Sequence, residues 1–386
     1  MTRGRFAAVA LGLVVGLLLG ETIIRLVAPQ LYRRPRVWEF DERLGWRHRP
    51  GRSGQLVSPE FSVPVEINAD GLRDRWYPRA KPSGTWRLLA FGDSFIEGWG
   101  VPVQASVSKA LEQKLQQARP GQVTEVLNFG VAGYGTDQEL LLYQTQGRSY
   151  APDLVLVFFY ANDLWNNAVD RGIGAERGYK PYFRPGPDGR LTLLGVPVRQ
   201  VPQWDDAWWD DLPWSLRLDR VLSEHLHLYA LARKAAQPEE LAAGQRQEYY
   251  QGLFGAVGES RPAALWSLTA SLLNAFTDQV EEDGARLVLV YVPSIVQVEE
   301  ADWRAKRELG RLSGSFDLER PNRELAAIAA GRGVRLIDLT NVFREQGATR
   351  VLYFRDSHWN EAGHALAAEV VAAALLAGSE ALGGAP

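Results

Sequence analysis

Three apolar runs, LLAF (residues 88–91), DLVLVFFY (153–160) and RLVLVYV (286–292), carry almost no polar interruption. A strand with one wet face alternates polar and apolar side chains, whereas a strand apolar at nearly every position is covered on both faces. Between the runs lie segments of helical periodicity. Residues 103–118 place Val107, Leu111 and Leu115 on one face and stop at Pro120-Gly121, and residues 137–148, 263–283, 323–330 and 361–376 read the same way. Shorter runs at 125–129 and 334–337 complete five strands. Strands alternating with helices predict a parallel sheet in a three-layer α/β/α sandwich.

The chain of 386 residues is long enough for such a domain with additions. Its N-terminus has 15 uncharged residues, Phe6 to Gly20, followed by Glu21, Ile23, Ile24, Arg25, Leu26 and Val27. Spanning a bilayer takes about 20 apolar residues, so a span must include Glu21 or begin near the terminus. No small-x-small cleavage site follows, and residues 1–30 are read as an uncleaved membrane anchor; a cleaved signal peptide and a buried helix are the other readings. Arg3 and Arg5 before the run are answered by Arg25, Arg33, Arg34 and Arg36 after it, so the basic-residue rule does not orient it cleanly. The expected topology puts everything beyond Pro29 outside the cytoplasm. Residues 31–86, rich in Arg, Pro and Gly, include the alternating stretch 61–67 before Asn68-Ala69-Asp70-Gly71 and read as a small β-rich collar. Residues 87–378 form the α/β domain, interrupted by an insertion at 164–261 that lacks the strand–helix rhythm. Within it, residues 181–198 suggest a hairpin, and Trp204, Trp208, Trp209 and Trp214 lie among five aspartates, as a lid over a site or as the insertion's own core.

A net charge of −3 gives no basic footprint for nucleic acid, and the absence of cysteine excludes disulfides and thiolate metal sites. Polar motifs instead follow the expected strands: Gly92-Asp93-Ser94 the first, the stretch Asn128 to Gly133 the second and Asn162-Asp163 the third, while Asp356-Ser357-His358 comes after the fifth. Ligands of open parallel sheets bind at the carboxyl ends of strands. Taken singly each motif has a structural explanation: Ser94 or Asn162 as a helix cap, Gly130, Gly133 and Gly135 as turn residues. His364 is expected on a helix surface, His225 and His227 give no clear signal, and His48 lies in the collar.

In order and spacing, Gly92-Asp93-Ser94-Phe95, Asn128-Phe129-Gly130-Val131-Ala132-Gly133, Tyr160-Ala161-Asn162-Asp163 and Asp356-Ser357-His358-Trp359-Asn360 resemble the four blocks of the SGNH/GDSL hydrolase family, of the membrane-anchored bacterial type. The resemblance implies a flavodoxin-like fold and a serine esterase needing no cofactor and no metal. Two positions depart from the pattern. Tyr160 stands where Gly is usual, and the Asp is two residues before the His instead of three.

Acyl transfer then gives each residue a role. Ser94 is the nucleophile, His358 the base and Asp356 the residue that accepts Nδ1–H, its contact expected through an extended turn. The N–H groups of Ser94 and Gly133 and the Asn162 amide form the oxyanion hole. No G-x-S-x-G elbow is present, which disfavours an ordinary α/β-hydrolase. The expected substrate is a small acyl ester or an acylated, exported glycan, with deacetylation as one form of the reaction. The alternatives are an O-acyltransferase of envelope polysaccharide and a non-catalytic SGNH-like glycan-binding module.

Overall fold

A computed structural model describes residues 3–172, 178–186, 190–200, 213–236, 243–255 and 260–378. The N-terminal helix Arg3–Val27 leads into a collar of two antiparallel pairs, β1 (Trp38–Asp41) with β2 (Gly45–His48) and β3 (Ser53–Val57) with β4 (Ser62–Glu66). β4 alternates exposed and buried residues as its sequence alternates. Asn68 closes the following turn, its Oδ1 accepting the N–H groups of Asp70 and Leu72.

The main sheet comprises β5 (Thr85–Gly92), β6 (Val123–Gly130), β7 (Leu154–Tyr160), then, after the hairpin β8 (Tyr182–Pro185) and β9 (Leu191–Leu194), β10 (Arg286–Val292) and β11 (Arg335–Asp338). All five strands are parallel in the order β11-β10-β7-β5-β6. In chain order this is the 2-1-3-4-5 flavodoxin-like arrangement, whose switch point lies between the first and third strands, here β5 and β7. Helices Val107–Ala118 and Glu361–Ala377 pack together on one face, and Thr136–Thr145 with Ser260–Glu282 lie across the sheet from them. The central strands are buried on both faces, as their uninterrupted apolar sequence requires.

The differences from the sequence reading are local. The helix expected over 103–118 is split, because Pro102 and Ser106 let only a 3-10 turn, Val103–Ala105, form before Val107. The helix expected over 137–148 ends at Thr145, with a 3-10 turn, Gly147–Tyr150, after it. Among the described residues the insertion contains a hairpin and the helices Trp214–His225, His227–Ala236 and Ala243–Phe254. Trp204, Trp208 and Trp209 lie outside the described residues; Trp214 is exposed.

The segment Gly4–Val27 has mean hydropathy 2.3, with none of its most apolar window buried in the protein, and is long and apolar enough to cross a bilayer. Near its end the Glu21 carboxylate accepts the N–H groups of His227 (3.0 Å) and Leu228 (2.8 Å), occupying the start of the helix His227–Ala236. His227, silent in the sequence, is buried and its Nδ1 accepts the Gln30 N–H at 2.9 Å.

His364 corrects the reading of a surface histidine. It is buried at the seam between helices Glu361–Ala377 and Val107–Ala118, where Nδ1 accepts the Val107 N–H at 3.2 Å. Burial first, then the charges of Arg73 and His358, push its imidazole down to about 3, so it is neutral.

Candidate active site

β5 ends in Gly92, and the chain turns at once into a single helical turn, Ser94–Glu97, laid across the ends of β5 and β6. Two glycines make that approach possible. A Cβ on Gly92 would lie 2.3 Å from Ile96 Cγ1, and one on Gly130 would lie 2.1 Å from the Glu97 nitrogen. Gly130 therefore serves close backbone approach rather than turn conformation. The cap of this turn is Asp93, whose Oδ1 accepts the Phe95 N–H at 2.9 Å. Capping is thus assigned to the neighbouring aspartate, and the Ser94 hydroxyl is available elsewhere. A helix of four residues contributes little dipole, so activation of this hydroxyl depends on a side chain.

That side chain comes from 264 residues away. His358 Nε2 lies 2.8 Å from Ser94 Oγ. Its ring stacks on Trp99, with centroids 5.5 Å apart and planes 28° from parallel, and packs against Phe95 at 5.3 Å. Asp356 Oδ1 accepts the His358 backbone N–H at 3.1 Å and lies 3.2 Å from Nδ1, though without the alignment of a linear hydrogen bond. Asp356 Oδ2 accepts the Trp99 indole N–H at 3.3 Å. Burial raises the Asp356 carboxyl, but hydrogen bonds from His358 and Trp99 and the His358 charge outweigh it, holding the group below the usual range. The turn here is not extended. Ser357 adopts φ +73°, a left-handed conformation that reverses the chain and brings the Asp356 carboxylate alongside its own second neighbour. The Ser357 and Phe354 N–H groups close this turn on the Phe354 and His358 carbonyls.

Gly133, at φ +78°, follows β6, and among the described residues no acceptor is paired with its N–H or with that of Ser94. Asn162 follows β7 and does not cap the turn Asp163–Asn166. Its Nδ2 donates to Asp93 Oδ2 at 3.0 Å, tying the ends of β5 and β7 together across the switch point. One N–H of that amide is used by Asp93, leaving the second for another acceptor. Tyr160 completes β7 with its ring 4.5 Å from Phe95, filling space beside the His358 ring.

Below Asn162 lie Glu139 and Asp163, both wholly buried. For Glu139 burial, then the charges of Asp93 and Asp137, and for Asp163 burial, then the charges of Glu139 and Asp93, push these carboxyls well above the usual range. Among the described residues no cluster of three or more His, Cys, Asp or Glu side chains is arranged to hold a metal ion.

Sequence reasoning missed Trp99, Glu97 and His48. Trp99 lies five residues beyond Ser94 in an unremarkable Glu-Gly-Trp-Gly stretch. Nothing in that stretch signals that its indole faces a loop near residue 356.

A model of the GDSL-like Lipase/Acylhydrolase family matches residues 90–366, well over half of the chain. The chain belongs to this family. Solved structures of similar fold include the acetyl xylan esterase AlAXEase, with 14% identity and TM-score 0.38 over 75% of this chain and 99% of that one. A catalytic mutant of Axe2, an acetylxylan esterase from Geobacillus stearothermophilus, has 13% identity and TM-score 0.39 over 74% and 92%. TesA has 15% identity and TM-score 0.38 over 75% and 98%. No curated protein matches the chain. As a member of the GDSL-like Lipase/Acylhydrolase family, the protein is an ester-bond hydrolase.

Proposed function

We propose that the protein is a membrane-anchored serine esterase that removes a short acyl group, such as acetyl, from an exported glycan or a related ester. The observation that carries the mechanism is the 2.8 Å contact between Ser94 Oγ and His358 Nε2 at the switch point of the sheet. Ser94 Oγ attacks the ester carbonyl while Nε2 takes its proton, and Asp356 compensates the imidazolium from the Nδ1 side. The carbonyl electrons move onto oxygen, and that oxyanion accepts from the N–H groups of Ser94 and Gly133 and from Asn162. Collapse expels the alcohol, which receives the proton from Nε2. Water, deprotonated by His358, then attacks the acyl-serine and releases the acid, returning Ser94 to its starting state. No step needs a cofactor.

Labelling the full chain with a fluorophosphonate and mapping the adduct tests nucleophile and activation together: an adduct at Ser94, abolished in His358→Ala, is expected, and absence of any adduct would favour a non-catalytic role. An acceptor sugar that diverts acyl groups from water would convert the assignment to an O-acyltransferase. In this reading the helix Arg3–Val27 is the anchor and the catalytic domain is extracytoplasmic. Its length and exposed apolar surface support the anchor. A reporter fused after Pro386 that works only in the cytoplasm would reverse the topology.

A further inference from the structure

The collar touches the site at two places. On one side, Phe61 packs against Phe354 with ring centroids 4.8 Å apart and the Glu60 carboxylate accepts the Arg355 N–H at 2.9 Å, so the collar bears on the loop that carries Asp356 and His358. On the other, it surrounds residues 131–134, the loop that presents Gly133. Trp46 Nε1 donates to the Ala132 carbonyl at 3.1 Å, the Tyr134 hydroxyl donates to the Trp46 carbonyl, and Gln138 Nε2 donates to the Leu44 carbonyl at 2.7 Å. The Ala132 N–H, immediately before Gly133, donates to Glu97 Oε2. Glu97 closes the helical turn that begins with Ser94, and its side chain is buried. The same Oε2 lies 3.3 Å from Nε2 of the buried collar residue His48, whose Nδ1 is 3.3 Å from the Gly71 carbonyl.

We propose that His48 and Glu97 are positioning residues for the oxyanion hole, through which the collar sets the distance between the Ser94 turn and the Gly133 N–H. Among the described residues Glu97 links these two donors through its side chain: its backbone shares a turn with Ser94 and its carboxylate accepts the N–H of Ala132, next to Gly133. A bare carboxylate in this dry seam would be costly, and His48 supplies the opposing partner from the collar. Removing the carboxylate takes the Glu97 bond from the Ala132 N–H and loosens the loop, and removing His48 takes from that carboxylate its collar partner. Arg73 reinforces the turn from the collar side, donating to the carbonyls of Glu97 (2.9 Å), Gly98 and Val101 (2.8 Å). Oxyanion donors act only when placed to about half an ångström, so a loosened loop weakens transition-state binding while substrate binding persists.

The inference rests on the esterase reading, and its test separates the two. The full chain in detergent is compared with His48→Gln, Glu97→Gln and Trp46→Phe, the last of which removes the indole donor to Ala132 while keeping an aromatic ring. Competent sites are counted by exhaustive fluorophosphonate labelling, and kcat and KM for a p-nitrophenyl acetate substrate are expressed per labelled site. Amide exchange of a peptide covering residues 128–136 is followed in parallel. For His48→Gln and Glu97→Gln the expected results are kcat per labelled site lower by about 10- to 100-fold, KM within about twofold, and exchange at 131–134 faster by at least about tenfold, with β7 unchanged. Trp46→Phe should show the same pattern more weakly. A purely structural role predicts fewer labelled sites with unchanged kcat per site, and that result, or unchanged exchange at 131–134, overturns the proposal. If the wild-type chain takes no label at Ser94, the esterase reading falls, and the exchange measurement alone decides whether the pair holds the loop.

Discussion

Replacing Asp356 with Ala removes three contacts at once: the approach to His358 Nδ1 at 3.2 Å, the bond to the His358 backbone N–H and the bond from Trp99. The side chains of His358 and Asp356 are 24% and 33% exposed, a setting between bulk water and a dry interior. Two unit charges 3.2 Å apart attract by about 1 kcal/mol at the dielectric of water and about 5 kcal/mol at an effective value near 20. A partly wetted pair falls near the middle, about 3 kcal/mol, and the loss of that attraction to the imidazolium of the transition state corresponds to about 10²-fold in kcat. The loss should be smaller than the roughly 10⁴-fold seen when a serine-protease aspartate becomes Asn, because Trp99 and Phe95 still hold the ring by packing. Trp99→Phe, which keeps an aromatic ring beside His358 but loses the indole N–H and part of the buried ring, should cost about tenfold. The assay is pre-steady-state and steady-state hydrolysis of a chromogenic acetate, with KM followed to confirm that binding is spared. A near-wild-type Asp356→Ala enzyme beside an inactive His358→Ala enzyme would refute the electrostatic argument and reduce the machinery to a Ser94–His358 dyad.

Ser94→Ala and His358→Ala should each lose nearly all activity, up to about 10⁶-fold in kcat, and the double variant should lose no more, since the two act as one unit; additive, modest losses would point to another nucleophile. Asn162→Ala should lower kcat by about 10²–10³ with KM little changed, and an unchanged kcat would show that its amide serves only Asp93. His364, neutral in the fold with its imidazole pushed down to about 3 from an ordinary 6.5, binds protons more readily when unfolded. Its contribution to stability is therefore complete above pH 6.5 and is lost as pH falls toward 3, about 2 kcal/mol between pH 7 and 5, which urea unfolding of wild type against His364→Gln at the two pH values will detect as a shallower pH dependence in the variant. Shortening residues 204–214 should alter the preference among acetyl, butyryl and octanoyl esters more than the rate of fluorophosphonate labelling, and an unchanged profile would make the segment structural.

Much of this protein was readable along the chain because the relevant physics is local. The apolar runs 88–91, 154–160 and 287–292 within β5, β7 and β10 suit strands covered on both sides, and a polar residue directly after such a strand emerges at the sheet's carboxyl edge. That puts Ser94, Gly133 and Asn162 along one edge from sequence alone, whereas His358, far beyond the last strand, reaches them only through the fold. The alternation of β4 and the 15-residue uncharged run at the N-terminus were likewise properties of neighbours in sequence. What only the tertiary structure decided were matters of partner and distance. Asp93, not Ser94, caps the turn; Ser357 takes a left-handed conformation that brings Asp356 beside His358; and Trp99 covers the ring. His364 and His48 lie buried where periodicity and position suggested nothing of the kind. A side chain's direction follows from its own backbone, but what it meets depends on a segment whose arrival is set by the packing of the whole sheet, as with Ser94 and a histidine 264 residues away.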